Sequence, residues 1–363
     1  MVPQATLSII IPALNEADQL PALLEDLRQQ KEISFEIIVG DGGSSDATPT
    51  IVEAGGARLV RARRGRGTQM NAAAEWATGE YLLFLHADSR IEDSYLLSNA
   101  LRAIQLAALE NPRVAGHFRL QFIRTSKHNG MAYRYIEEKT ALNRAGTTNG
   151  DQGLLLSKEF FRHLGGFNES LPFLEDQRIA GKIRSQGTWL TLPGSLKTSA
   201  RRFETEGFHR RYILMGMMMG LYSIGETSFF LRAPEVYRVQ QETGKLFLSP
   251  FFSLIWRLIC QDWGALGSIR IFYRLGRYIR QNSWQIFFWL DVGLRPLLGP
   301  GRYPCLHFYD QRIGPYTNYK ILDALTGIGC FFWYMGILTS FFWLTECGAR
   351  KVSHLERPHE KSD

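Results

Sequence analysis

The chain has 363 residues, which is enough for one large domain with an appendage or for two domains. Its hydrophobic content of 45% excludes a largely disordered protein, and four scattered cysteines exclude a disulfide-rich scaffold and a zinc finger. The formal charge of +7 suits phosphate-bearing ligands or an anionic membrane surface. No run of basic residues interleaved with aromatics supports a nucleic-acid partner.

Strands and helices alternate in the first part of the chain. The predicted strands are residues 7–11, 35–39, 58–60 and 81–85, and the predicted helices are residues 17–30, a helix opened by Ser45-Asp46, and residues 70–77. This alternation predicts a doubly wound, mostly parallel sheet flanked by helices. Ligands of such sheets bind beyond the carboxyl ends of the strands, where Asp41 and Asp88 stand.

The character of the chain changes near Arg232, where aromatic and basic residues begin to dominate. The stretch between Asp323 and Glu346 is uncharged and just long enough to span a bilayer, whereas residues 283–299 contain charges and a proline, which is typical of an interfacial segment. We therefore predict an α/β catalytic domain at 1–232 and a helical, membrane-associating extension at 233–363. A helical subdomain or a dimer interface is the alternative.

Two candidate residues, Asp41 and Arg66, suit the nucleoside and the diphosphate of a nucleotide ligand. Asp41 follows a strand inside a Gly-rich turn, where its carboxylate could accept from a nucleobase or a ribose hydroxyl. The alternative is a structural turn in which Asp46 caps the next helix. Arg66 lies between two glycines in an arginine-rich segment, which favours contact with a diphosphate over a solvated loop.

Carboxylates at two further positions suit metal binding and proton transfer. Asp88 leaves the end of an apolar strand and could ligate Mg²⁺ or Mn²⁺ while phosphates complete the shell. His86, two positions earlier, would touch the metal or phosphate, or merely bond a neighbouring backbone. Glu175 and Asp176 open a helix, so they either deprotonate an acceptor hydroxyl or stabilise the helix end.

A polar, Gly-flanked turn supplies the remaining candidates. Gly150, Asp151 and Gln152 form a turn by default, and could line an acceptor or phosphate site. Arg202 could add a phosphate contact. The first strand starts without a preceding signal-peptide pattern, so we expect the catalytic domain at the cytoplasmic face of the membrane.

Together, these segments resemble glycosyltransferase family 2, the inverting enzymes with the A-type nucleotide-sugar fold. The resemblance covers residue 7 to about residue 225. Its components are residues 9–16 (IIIPALNE), 39–46 (VGDGGSSD), 79–88 (GEYLLFLHAD), 165–167 (GGF) and Glu175-Asp176. Residues 64–71 (RGRGTQMN) with His86-Ala87-Asp88 resemble most closely the subgroup associated with radical-SAM or arsenosugar biosynthesis genes.

The resemblance implies a role for each matching position. Pro12, Asn15, Glu16 and Asp41 would hold the nucleoside, and Arg66 and Gln69 would belong to the donor site. Asp88 matches the second acid of the family's metal-binding Asp-x-Asp, and Asp176 matches the general base. His86 stands where the family has the first acid, which leaves the affinity and identity of the metal open.

The sequence therefore predicts an inverting glycosyltransferase. Its donor is expected to be a UDP-sugar, with a GDP-sugar as the alternative, and a lipid or lipid-linked acceptor is one option. The competing hypotheses are a polyprenyl-phosphate glycosyltransferase, a nucleotidyltransferase and a non-catalytic membrane scaffold.

Overall fold

The computed structural model describes residues 6–170, 174–241 and 246–346. The chain divides into two compact units, Met1–Ala200 and Arg201–Asp363. The boundary between the units lies before the change of composition near Arg232, which falls inside the third helix of the second unit.

The N-terminal unit contains an eight-stranded mixed sheet with the strand order β3-β2-β1-β4-β7-β6-β8-β5. The strands are β1 (Leu7–Ala13), β2 (Phe35–Asp41), β3 (Arg58–Arg61), β4 (Tyr81–Phe84), β5 (Ser89–Arg90), β6 (Val114–Ile123), β7 (Leu154–Ser157) and β8 (Thr188–Ser199). The first four strands are parallel, as predicted. β7 runs antiparallel to both of its neighbours, so the complete sheet is mixed.

Seven helices accompany this sheet among the described residues. They are α1 (Leu20–Arg28), α2 (Thr48–Ala54), α3 (Arg66–Glu75), α4 (Leu96–Glu110), α5 (Gly130–Thr140), α6 (Lys158–His163) and α7 (Glu175–Gln186). Two clusters of buried apolar side chains surround the sheet, one including α1 and α4 and the other including α3 and α7. The β1 run of Leu7 to Ala13 is buried throughout, as expected for a strand covered on both faces.

Pro12 is tolerated in the central strand β1 because its two neighbouring strands differ in length. β2 pairs with all of β1, whereas β4 pairs only with residues Leu7 to Ile10. Proline cannot donate a ladder hydrogen bond, and Pro12 faces the side on which β4 has already ended. Beyond Pro12 that side of β1 is open to the loops at the strand ends.

The C-terminal unit is helical throughout its described residues. Its helices are α8 (Arg201–Glu206), α9 (Phe208–Ser223), α10 (Ser228–Gln241), α11 (Ser249–Arg257), α12 (Gly264–Gln281), α13 (Trp284–Leu298), α14 (Pro304–Phe308) and α15, which begins as Lys320–Phe331 and continues to Glu346 through a π-helical segment, Phe332–Leu338. By length and composition, the helix Lys320–Glu346 could cross a membrane, with a mean hydropathy of 1.6.

Two predicted helices have different limits in the structure. The helix expected at residues 17–30 is Leu20–Arg28, because the residues before Leu20 form a loop that bonds to the turn after β2. The helix expected at 70–77 starts four residues earlier, at Arg66. Arg66 therefore belongs to the first turn of α3 rather than to a loop.

Candidate active site

The turn after β2 is folded around Asp41. This side chain is buried, and its carboxylate accepts hydrogen bonds from the backbone N–H groups of Gly43 at 3.1 Å and Ser44 at 3.2 Å. Gly43 takes a φ of 90°, which favours glycine. Asp41 therefore fixes the shape of the turn from within.

The turn after β2 is bonded to the loop after β1. The Asn15 side chain accepts from the backbone N–H of Ser45 at 2.9 Å, and the Asp46 carboxylate accepts from Ala17 N–H at 3.1 Å. The backbone N–H of Glu16 donates to the Thr48 hydroxyl. Asp46 also accepts from the N–H of Thr48, the first residue of α2, although the N-cap position itself is Ala47. Pro12, Asn15, Glu16 and Asp41 consequently meet at one edge of the sheet.

Gln69 connects this edge to helix α3. Its side chain is buried, and its amide nitrogen donates to the carbonyls of Ala13 at 2.6 Å and Gly40 at 3.0 Å. A Cβ on Gly40 would lie 2.3 Å from the backbone oxygen of Gln69, so glycine is required for this close approach. Gln69 is therefore a buried anchor of the strand ends, and this differs from the direct donor contact that the sequence suggested.

Arg66 lies among carboxylates from several chain segments. Its guanidinium is 3.4 Å from the carboxylate of Glu175, which is buried, while the Arg66 side chain remains 44% exposed. Burial opposes the charge of Arg66, but nearby carboxylates raise the pKa of its guanidinium above the ordinary value. These carboxylates, in decreasing order of effect, are Glu175, Asp151, Asp176 and Asp88.

Burial raises the pKa of Glu175, the Arg66 charge lowers it, and the negative charge of Asp176 raises it further; the net pKa is above the ordinary value. A carboxylate in these surroundings resists ionisation, and the neighbouring guanidinium provides the main compensation. Glu175 and Arg66 therefore depend on each other for their charged states.

His86 and Asp151 form a close pair beside Asp88. The Nδ1 atom of His86 is 2.6 Å from the Oδ1 atom of Asp151, and the ring is largely buried whereas Asp151 is half-exposed. Gly150 packs against the ring, because a Cβ at that position would lie 2.9 Å from both Cε1 and Nε2. The carboxylate of Asp88 is partly exposed and accepts no hydrogen bond from the described residues.

Asp176 lies in the first turn of α7, and its carboxylate contacts the turn that carries Gly150. Its Oδ2 atom accepts from the backbone N–H of Gly150 at 2.8 Å, and its Oδ1 atom accepts from Gln177 N–H at 2.8 Å. The side chain is half-buried, so part of its carboxylate surface remains open. Gln177, which the sequence did not single out, donates to the carbonyl of Thr148 at 2.6 Å and holds the same turn.

The turn that carries Gly150 and Asp151 is anchored by Gln152. This side chain is fully buried, accepts from the backbone N–H of Asn149 at 2.7 Å, and donates to the carbonyls of Phe118 and Thr140, each at 3.1 Å. Gln152 therefore holds the turn from behind and cannot line an acceptor or phosphate site with its side chain, contrary to the sequence-based assignment. Its partners lie up to 35 residues away, so no local pattern indicates this role.

A narrow pocket opens between these elements. Its apolar wall consists of Met70, Phe84, Leu154, Phe167, Ile179 and Trp189, and its polar rim contains His86, Thr148, Asn149, Gly150, Glu175 and Asp176. Apolar surroundings strengthen the interactions between charged groups. The polar rim therefore brings three of the predicted catalytic or metal-binding residues to one opening.

The residues present fit a divalent cation that is held jointly with a phosphate ligand. Within the described part of the chain, no three His, Cys, Asp or Glu side chains are grouped as a complete metal site. However, the carboxylates of Asp88, Asp151 and Asp176 add to that of Glu175 in favouring the charged form of Arg66. Magnesium and manganese commonly take one or two protein carboxylates and complete their shells with phosphate oxygens and water. Asp88 is the available carboxylate for such a site.

Arg202 is placed in the C-terminal unit, on α8, where it is exposed. Its assignment to the donor site remains a prediction. Of the cysteines, Cys260, Cys305 and Cys330 are free thiols, and Cys347 lies outside the described residues.

Known proteins resemble the N-terminal part of the chain. Residues 8–164 match the family model described as Glycosyl transferase family 2, which covers less than half of the chain. The matched segment runs from Ser8 in β1 through α6 and contains Asp41, Arg66 and Asp88. The observed sheet flanked by helices, followed by a helical C-terminal unit, agrees with the fold class predicted from the sequence.

Curated relatives match over part of their length. The PGL/p-HBAD biosynthesis glycosyltransferase of Mycobacterium tuberculosis is 40% identical over 98 residues, covering 25% of this chain and 38% of the relative. An uncharacterized glycosyltransferase of Haemophilus influenzae is 30% identical over 189 residues, covering 49% of this chain and 61% of the relative. The matches thus span less than two thirds of either relative.

Among solved structures, a mannosyltransferase from Pyrobaculum calidifontis in complex with GDP-Man and Mn²⁺ aligns with a TM-score of 0.45 and 18% identity. The alignment covers 93% of this chain and 88% of that one.

Proposed function

We propose that the protein is an inverting glycosyltransferase that moves a sugar from a nucleoside-diphosphate donor to an acceptor hydroxyl or phosphate, assisted by Mg²⁺ or Mn²⁺. The family match supports the reaction class. The observation that carries the proposal is the pocket lined by His86, Glu175 and Asp176, in which Glu175 lies 3.4 Å from Arg66 and His86 lies 2.6 Å from Asp151, at the carboxyl end of the parallel strands. Ligands of such sheets bind at this edge.

The donor half of the site is supported by the two loops after β1 and β2. Their mutual hydrogen bonds hold Asn15 and Glu16 beside the turn of Asp41. We assign the nucleoside to this surface. Since Asp41 is occupied by its own turn, its contribution is to shape the backbone there. A UDP-sugar is our first choice of donor and a GDP-sugar the second.

Arg66 is assigned to the diphosphate. Its partly exposed guanidinium carries a charge that Glu175 secures, so Glu175 acts as a positioning residue for Arg66. A bound divalent cation on Asp88, with His86 as the other candidate ligand, would neutralise charge on the leaving diphosphate. The arginine can stabilise the same charge through its fixed N–H groups.

Asp176 is assigned as the general base. Its two oxygens are oriented by the N–H groups of Gly150 and Gln177, and its partial exposure lets an acceptor hydroxyl approach. Glu175 is less suitable because its carboxylate is buried against Arg66. When the acceptor oxygen attacks the anomeric carbon, its proton passes to Asp176, and the bond from carbon to the diphosphate oxygen breaks. Attack opposite the leaving group inverts the anomeric centre.

The donor site is tested by calorimetric binding of UDP, GDP, CDP and ADP, each with Mn²⁺, Mg²⁺ or EDTA. We expect one diphosphate to bind in a metal-dependent manner, and Asp88→Ala to abolish that dependence. Glu110→Ala is the matched control, because Glu110 is an exposed carboxylate at the end of α4, outside the two loops assigned to the donor. If folded wild-type protein binds none of these nucleotides, the catalytic proposal fails and a scaffold role replaces it.

The base is tested with Asp176→Asn. We expect turnover to fall by about 10²–10⁴-fold while donor affinity is retained, because proton transfer contributes roughly that factor. Loss of donor affinity with intact turnover would refute the assignment. The anomeric configuration of the product, measured by NMR, tests inversion, and release of pyrophosphate from a nucleoside triphosphate would indicate a nucleotidyltransferase instead.

A lipid-linked acceptor, such as a polyprenyl phosphate, is the second candidate, and it is favoured by the exposed apolar side chains of the C-terminal unit. The same exposed apolar side chains lead us to place the enzyme at a membrane, and we assign it to the cytoplasmic face. We assign it to the radical-SAM and arsenosugar-associated subgroup because of residues 64–71 (RGRGTQMN). Transfer to a short-chain polyprenyl phosphate in detergent, compared with transfer to a soluble sugar, separates the two acceptor classes.

A further inference from the structure

Helix α15 has a continuous apolar face that is open to its surroundings. The exposed side chains recur at helical spacing from one end to the other, and the π-helical segment only shifts the register by one residue. They are Ile321, Leu325, Ile328, Phe332, Trp333, Ile337, Phe341, Trp343 and Leu344. We call this set the apolar face of α15. This face is a continuous apolar patch, whereas the exposed apolar residues of an ordinary protein surface are scattered singly.

The opposite side of α15 is covered by other helices of the same unit. Phe331 packs edge-on against Phe272 of α12, and Phe342 stacks on Phe252 of α11. At the crossing with α12 the two backbones touch, since a Cβ on Gly276 would lie 2.4 Å from the backbone nitrogen of Gly327. The helix is therefore half-covered along its length.

Charged residues fix both ends of this covered side. Near the start, Asp323 is buried and accepts hydrogen bonds from Arg280 and Arg277. At the end, Glu346 is buried and accepts from Arg210 and from the backbone N–H of Ser249 at 2.9 Å. Breaking a buried charged pair is costly, so α15 stays attached to its neighbours.

This attachment argues against a membrane-spanning position. If α15 crossed a bilayer, α12 would enter the hydrocarbon with it, because the two helices touch at Gly276. Helix α12 has no acidic residue and carries Arg270, Arg274 and Arg277 on one exposed stripe. Placing an arginine at the centre of a bilayer is costly even by the lowest estimates. The same stripe would be favourable beside anionic headgroups.

We propose that α15 lies in the plane of an anionic lipid surface, with its apolar face inserted and the exposed Arg270 and Arg274 of α12 contacting the headgroups. This inference deepens the membrane location proposed above and does not depend on the reaction. Two observations support this orientation. One side of α15 is bound to protein along its length while the other is apolar, and the neighbouring α12 carries exposed arginines.

The orientation is tested by labelling two ends of α15 on intact vesicles. Both variants lack all four native cysteines; one carries Lys320→Cys and the other carries Thr345→Cys, at exposed positions near the two ends of α15. An in-plane helix exposes both sites to a membrane-impermeant maleimide added outside, so we expect equal labelling without detergent. If one site is labelled only after the vesicles are dissolved, the helix spans the bilayer and the proposal is wrong.

The partner is tested by co-sedimentation of the full chain with vesicles of phosphatidylcholine, with and without phosphatidylglycerol. Each basic residue near an anionic surface contributes about fivefold to binding, so Arg270→Gln with Arg274→Gln should weaken binding to anionic vesicles about 25-fold. Arg102→Gln with Arg113→Gln is the control, because it removes the same charge from exposed positions of the N-terminal unit.

The apolar contribution is tested with Phe332→Gln and Phe341→Gln together, which should reduce binding to both kinds of vesicle. Equal binding of this variant and wild type would overturn the insertion of α15. So would a wild-type chain that ignores vesicles and instead forms a dimer that the same variant dissociates, because the apolar face would then bind a second copy.

Discussion

Replacing Gly150 with alanine tests the arrangement of the catalytic turn directly. Gly150 has no positive φ, so alanine can adopt its backbone conformation. The added Cβ would lie 2.9 Å from Cε1 and Nε2 of His86 and 3.5 Å from the Cβ of Asp176. The contact with Asp176 is ordinary, whereas the contact with His86 is about 0.5 Å too short. The substitution therefore displaces one side chain selectively.

The displacement of His86 cannot be absorbed freely, because its Nδ1 atom is held 2.6 Å from Asp151 and its ring is mostly buried. Overpacking of this kind costs about 1–3 kcal/mol, which lowers the melting temperature of a unit of this size by roughly 2–12 °C. Misplacement of a group by about 1 Å can reduce turnover roughly 100-fold. For a smaller shift we expect a loss of about 10- to 100-fold.

The assay measures hydrolysis of the nucleotide sugar whose diphosphate binds in the calorimetric experiment, together with thermal unfolding. Gly181→Ala is the matched control, since Gly181 lies inside α7 and a Cβ there meets no atom within 4 Å. This control should gain about 0.4–1 kcal/mol of stability and keep wild-type activity. If Gly150→Ala behaves like Gly181→Ala in both measurements, His86 is not where we place it, or it does not contribute to catalysis.

Two further predictions concern the groups that support the site. Glu175 has a raised pKa in the folded protein, so it binds its proton more tightly there than in the unfolded chain, and its contribution to stability falls as pH rises above its ordinary value of 4.5. In urea unfolding between pH 4 and 8, Glu175→Gln should therefore gain stability relative to wild type as pH increases; a difference that does not change with pH would contradict the raised pKa. Gln69→Leu removes the donor to the carbonyls of Ala13 and Gly40, and should cost about 1–3 kcal/mol, whereas the exposed Gln29→Leu control should change stability by less than about 0.5 kcal/mol. Equal melting temperatures for the two glutamine variants would refute the anchoring role.

The sequence was most informative where the structure depends on local patterns. The four apolar runs of the N-terminal unit form the parallel strands β1 to β4, and the uncharged run after Asp323 forms the predicted long helix. The antiparallel placement of β7 between β4 and β6 was not predicted, because strand partners are separated by up to 76 residues and no turn residue specifies their pairing. The position of β7 is determined only by the packing of the complete sheet.

The same distinction applies to the candidate site. Asp41 and Asp88 are candidates because of their positions after strands, whereas the assignment of Asp176 as the base comes from the resemblance to the family. Gln69 and Gln152 were assigned to ligands because a glutamine in a polar motif carries no sign of burial. Their hydrogen-bond partners lie far along the chain, and those partners decide that both amides point into the protein.

The start of α3 shows how a buried glutamine can contribute to anion binding. Because Gln69 fastens this helix to the ends of β1 and β2, Gly67 approaches α7 closely enough that an added Cβ would lie 3.5 Å from the Cβ of Glu175. Arg66 is the adjacent residue, so its backbone is fixed beside Glu175 while its side chain retains access to solvent. A basic residue on a flexible loop would lose conformational entropy on binding a diphosphate. In this protein, buried hydrogen bonds have already fixed the backbone from which Arg66 extends, which favours a preorganised anion contact.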